Sequence, residues 1–171
     1  MSTTHRADSA TATEAAGTTT VRAVVEIAAS PHDVFGALTN PRDLAAWLGG
    51  VDDYDAREWG EDPEAGHAWR SPAIAPDGTC GTVRGELLVV NAPRRLVTSW
   101  HASWEHDTRS VVRFELEDAT VDGVHGTRLT VIHTAPAAVP QHVSQFGAVR
   151  EKGWTALLAR LACLMNERLA V

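Results

Sequence analysis

From Asp53 to Ala135 the turn-forming residues of this chain recur about every ten positions, and from about Gln141 to Leu169 the chain then follows a helical period. Together these two features constrain the fold most. Turn signals at that spacing predict an antiparallel meander. The strands expected in it are Tyr54–Trp59, His67–Ala73, Thr79–Asn91, Leu96–Trp104, Ser110–Glu117 and Thr127–Thr134. Pro76-Asp77-Gly78 and Asp122-Gly123 read as hairpin turns, and Pro93 ends a strand before Leu96. On a helical wheel Val143, Phe146, Trp154, Leu157, Leu158, Leu161, Leu164 and Met165 share one face. Such a helix, roughly 40 Å long, can lie across a whole sheet of strands roughly 30 Å long.

Ahead of the meander, Val21, Ala23, Val25 and Ile27 alternate as a strand does. Ser30-Pro31-His32-Asp33 then carries the residues of a helix start: a capping serine, a first-turn proline and a capping-box acid. Asn40-Pro41-Arg42-Asp43 repeats that grammar, so two short helices are expected, Pro31–Leu38 and Pro41–Leu48, the second stopped at Gly49-Gly50. The order β-α-α-β6-α is an α+β plan with seven strands, its sheet bending most easily at glycines such as Gly81 and Gly85. Residues 1–20 hold nine Ser or Thr and, apart from Met1, no large apolar side chain. They are expected to be a disordered tail ahead of one folded domain, 21–171.

Composition narrows the function. The formal net charge of -7 argues against a general nucleic-acid binder. No apolar run reaches the ~20 residues of a membrane span. Residues 1–20 have no apolar signal core, so a cytoplasmic location is the default expectation. Cys80 and Cys163 have no metal-type spacing, and the eight histidines form no ligand pattern, so no metal or cofactor is expected. Lys152 is the only lysine, which leaves Schiff-base chemistry a single candidate. There is no G-x-S-x-G, and Cys163 falls with Ala156 and Ala159 on the face of the last helix opposite Trp154.

Five segments in order carry a family resemblance: Val25–Leu48 (VEIAASPHDVFGALTNPRDLAAWL), Gly85–Trp100 (GELLVVNAPRRLVTSW), Val111–Asp118 (VVRFELED), Gly126–Thr134 (GTRLTVIHT), and Gly153-Trp154 before a leucine-rich helix. Over about residues 21–169 the chain resembles the START/SRPBCC helix-grip superfamily, in its heat-shock-ATPase-activator-homologue branch. It departs from that branch at Glu58–Gly66, where a longer acidic stretch replaces a tight Gly-Gly. The resemblance implies a helix-grip fold, a curved antiparallel seven-stranded sheet wrapped around a long C-terminal helix, enclosing a cavity for an apolar small molecule. Branch members include natural-product-pathway and enediyne self-resistance proteins.

If such a cavity exists, the candidate ligand contacts are Trp47, Trp59, His67, Trp69, Trp100, Phe114, His133, Phe146, Trp154 and Leu157. Strand parity puts His67 with Trp69, Trp100 with Leu96, Thr98 and Trp104, Phe114 with Val112 and Leu116, and His133 with Leu129 and Val131. Trp100 and Trp154 match family positions and suit core packing. Trp47, Trp59, Trp69 and Trp104 suit either packing or a ligand wall, and His133 suits either a satisfied core histidine or a ligand hydrogen bond. The expectation is a binding protein, monomer or weak dimer, whose partner is a hydrophobic aromatic or polyketide/enediyne-type molecule. One rival is a polyketide cyclase or aromatase using Arg57, His67, Arg70 and His133 as polar groups. Another, from the branch name, is a co-chaperone-like ATPase activator.

Overall fold

The computed structural model describes residues 7–15, 17–48, 64–75, 77–105, 110–136 and 140–170; side chains at 7–9, 13–15, 136 and 140–150 lie outside the description. The elements are β1 (Ala7–Ala15), β2 (Thr18–Ile27), α1 (Pro31–Thr39), α2 (Pro41–Leu48), β3 (Ala68–Ile74), β4 (Cys80–Asn91), β5 (Arg95–Ala102), β6 (Ser110–Val121), β7 (Val124–Pro136) and α3 (Pro140–Leu169). The seven strands make one antiparallel sheet in the order β1-β2-β7-β6-β5-β4-β3. The α+β helix-grip plan is the observed one, with α1 and α2 following the strand that alternates Val21 to Ile27.

One expectation is corrected. Ala7–Ala15, assigned to a tail on composition, pairs antiparallel with β2 as the edge of the sheet. A strand at an edge can be held by main-chain hydrogen bonds, and its threonines suit a pleated backbone, so a lack of large apolar side chains does not prevent it. The turn back into β2 passes through Gly17 at φ +82°. The expected strand Tyr54–Trp59 lies outside the described residues, so the seventh strand is β1.

The helix starts follow their sequence grammar. Ser30 Oγ accepts from the Asp33 N–H at 3.2 Å and donates to the Asp33 carboxylate at 2.8 Å. Asn40 Oδ1 accepts from the N–H groups of Arg42 and Asp43. Ser30→Ala should therefore cost about 1 kcal/mol, read as a shift of the urea midpoint at unchanged m-value. Asp122 and Gly123 turn the β6–β7 hairpin with φ 49° and 81°, the paired positive values of a two-residue turn that suits twisted strands.

The inward face of the sheet is read off the alternation: Leu96, Thr98 and Trp100 on β5, Val112, Phe114 and Leu116 on β6, and Leu129, Val131 and His133 on β7 are all buried. Helix α3, roughly 45 Å long, lies against β2, β1 and α2. It buries Trp154, Leu158, Leu161, Ala162 and Met165. No comparable close backbone approach joins α3 to β3, β4 or β5 among the described residues. On that side only side chains can span the distance between helix and sheet.

Candidate ligand-binding pocket

The side chains that span it are mostly indoles. Trp69 (β3) meets Trp100 (β5) at 5.4 Å between ring centroids, and Trp100 meets Trp154 (α3) at 5.3 Å. Trp154 continues to Phe114 (β6) at 5.9 Å, and Phe114 to Trp47 (α2) at 6.5 Å. Most of these contacts are edge-on, the arrangement that ring quadrupoles favour, worth about 0.5–1.5 kcal/mol per pair beyond area burial. The row ties five elements together (β3, β5, β6, α2 and α3) and fills the middle of the fold. Only a void of about 10 Å³ remains there, between Trp69, Thr98, Trp100 and Phe114.

Indole N–H groups need acceptors once buried, and three of these have one. Trp47 donates to the Ala37 carbonyl, Trp69 to Thr98 Oγ1 at 2.6 Å, and Trp154 to His133 Nδ1 at 3.0 Å. The last bond fixes the chemistry of His133. An indole can only donate, so Nδ1 accepts and the ring proton sits on Nε2. Nε2 then donates to Ser110 Oγ at 2.7 Å, and Ser110 donates to the Trp100 carbonyl at 3.0 Å. Fully buried, His133 links α3 to β7, β6 and β5. In this tautomer it cannot take a proton from Ser110, so the pair is a structural lock and not a nucleophile with its base.

The open space lies beside the aromatic row. A pocket of about 390 Å³ opens between α3 and the β3–β5 side of the sheet. Trp100 and Trp154 reach it from the core, and Trp104, Val83 and Leu157 complete the apolar wall. Gly81 lets Trp104 take that place, because a Cβ there would sit 2.7 Å from the Trp104 ring. Lys152, Gly153, Ala156 and Arg160 line the α3 side, and Glu105 lies at the end of the β5 arm. Helix α3 thus has two stripes. Trp154, Leu158, Leu161 and Met165 face the core, while Gly153, Ala156, Leu157 and Arg160 face the pocket. Trp100, 3% exposed, has no acceptor for its N–H among the described residues.

Of the residues singled out in the sequence, Trp100, Trp104, Trp154 and Leu157 line this pocket. Trp47, Trp69, Phe114 and His133 are packed in the interior beneath it. His67 does not share the inward face with Trp69. It precedes β3, beyond the Gly66 turn where the strand alternation begins, and its ring is 45% exposed beside Glu64. Trp59, Arg57 and the side chain of Phe146 lie outside the described residues. The sequence reading missed Lys152, Gly153, Arg160 and Glu105, and it set Ala156 on the face turned away. The available signal was a second stripe, at 153, 156, 157 and 160, beside the apolar one. The cavity implied by the family resemblance also differs in place. The middle is packed, and the space opens at one side. Among the described residues no cluster of His, Cys, Asp or Glu could hold a metal ion, and no helix is long and apolar enough to cross a membrane.

Residues 28–166 match the model of the family described as Activator of Hsp90 ATPase homolog 1-like protein. The chain belongs to that family. No curated protein sequence matches significantly. Solved structures similar to this member of the Hsp90-ATPase-activator-homolog-like family include a protein from Rhodobacter sphaeroides, at a TM-score of 0.66 and 18% identity over 92% of this chain and 99% of that one. DynU16, a protein of the dynemicin biosynthetic locus, aligns at a TM-score of 0.61 and 24% identity, over 86% of this chain and 47% of its own. CalU16 from Micromonospora echinospora aligns at 0.54 and 18%, over 96% and 90%. At these identities the likeness is one of fold.

Proposed function

We propose that this family member binds a flat, hydrophobic small molecule of aromatic or polyketide/enediyne type in the pocket beside α3, serving natural-product biosynthesis or self-resistance by sequestration or carriage. The observation that carries the reading is the indole-walled pocket itself. Its volume of about 390 Å³ falls within the roughly 300–1,000 Å³ typical of small-molecule sites. Trp100, Trp104 and Trp154 give it wide, stiff apolar surfaces suited to stacking on a ring system. The likeness to DynU16, from a biosynthetic locus, supports the same reading. The cyclase alternative gains nothing from the geometry. His67 and Arg70 are absent from the pocket wall, and both ring nitrogens of His133 are engaged within the protein.

Titrating the tryptophan fluorescence with a panel of polyketide aromatics and enediyne-like compounds tests the proposal, with Gly153→Phe as the blocked variant. A Cβ at Gly153 would meet no atom within 4 Å, and the residue lines the pocket, so the phenyl ring enters open space. Phenylalanine also favours the helix over glycine, by roughly a few tenths of a kcal/mol, which helps keep the variant folded. Saturable quenching in the wild type, weakened at least about tenfold in Gly153→Phe, is the expected result. Equal binding by both proteins, or no response to any compound, would overturn the proposal.

A further inference from the structure

We infer that the pocket selects a flat aromatic ligand carrying an anionic group, an aromatic carboxylate or acidic phenol, which Lys152 and Arg160 hold; this deepens the pocket reading and rests on it. Both cations stand on the pocket stripe of α3, eight positions and about 12 Å apart along the axis. That is about the length of a three-ring aromatic. Both are exposed, and neither has an ion-pair partner among the described residues. Arg94, Arg113, Arg128 and Arg168 pair with carboxylates; Arg22, Arg42, Arg84 and Arg95 do not, but among the described residues only Lys152 and Arg160 bring their cations to the pocket wall. Lys152 is the single lysine of the chain, and it falls on the pocket.

The opposing charge is Glu105, which lines the same pocket with its carboxylate Oε2 buried. The balance of ionic groups facing a ligand is therefore two cations to one carboxylate. Trp100 adds a buried donor without an acceptor among the described residues. Donors outnumber acceptors around the space, and the complementary guest brings oxygen acceptors and negative charge on a planar frame. An anion between the two side chains gains from both, because each is long enough to turn toward it, and Arg160 can bind a carboxylate through two parallel N–H groups.

The test compares 9-anthracenecarboxylate with 9-anthracenemethanol, which share a ring system and differ in charge, by energy transfer from tryptophan to anthracene. It is run on the wild type, on Gly153→Phe, and on a Lys152→Gln/Arg160→Gln double variant. At low ionic strength the carboxylate should bind the wild type about five- to tenfold more tightly than the alcohol. That advantage should shrink in 1 M salt and vanish in the double variant, which should bind the carboxylate and the alcohol with similar affinity. Equal affinities in the wild type, or a preference that survives in the double variant, would overturn the anion assignment. The pocket reading would still stand if Gly153→Phe weakens both compounds. If neither compound binds the wild type, both inferences fall together.

Discussion

Gly85→Ala should lower stability by about 3 kcal/mol or more, a drop of roughly 6–12 °C in Tm. Gly85 stands in β4 opposite Trp69, and β5 runs on its other side. A methyl group there would overlap the Ser99 carbonyl oxygen and lie 2.8 Å from Trp69 Nε1. Neither neighbour yields cheaply. The first is main chain in a paired strand. The second is a buried ring whose N–H is spent on Thr98 Oγ1. The strands must part or the ring must turn, and turning it disturbs the contact with Trp100. A thermal melt of Gly85→Ala beside Gly153→Ala gives the contrast. The latter adds its methyl where no atom lies within 4 Å and should melt no lower than the wild type. A Gly85→Ala protein as stable as the wild type would refute this account of the close approach.

The second large effect is expected at Trp154, where packing and hydrogen bonding can be separated. Trp154→Ala removes the ring that joins Trp100, Phe114 and His133, and should cost about 3–5 kcal/mol. Trp154→Phe keeps most of the packing but leaves His133 Nδ1 without the indole donor, and about 1–3 kcal/mol should be lost. Urea unfolding measures both. Nitrogen NMR of the imidazole checks the cause directly: in the wild type His133 should show the tautomer protonated at Nε2. A wild-type ring protonated at Nδ1 would contradict the hydrogen-bond chain from Trp154 to the Trp100 carbonyl.

Much of this fold is written locally. Ser30 and Asn40 cap the helices they precede because a short polar side chain before a proline-led turn satisfies the first N–H groups without help from elsewhere. The alternation in β5, β6 and β7 names the buried face, since a strand turned toward a core can bury only every second residue. Other features were not local. The strand at Ala7–Ala15 has almost no hydrophobic signature, and its order comes from the free edge of β2. His67 and Trp69 have matching parity, yet only Trp69 is inside, because the turn at Gly66 comes before the alternation begins.

The tryptophans show where a one-dimensional reading stops. An indole alternating inward can fill a core or wall a pocket, and the sequence describes both roles in the same way. Trp69 on β3 and Trp100 on β5 flank β4 and both point inward, but Trp100 reaches the pocket and Trp69 does not. The sequence by itself determined the elements from β2 to α2 and from β4 to α3, the caps of α1 and α2, the inward faces of β5 to β7 and the family, because each depends on short periods or short motifs. Tertiary structure alone decided the angle at which α3 crosses the sheet. Close against β1 and β2 and standing off from β3 to β5, the helix leaves a gap that its second stripe lines, and the place of that gap depends on distances between segments far apart in the chain.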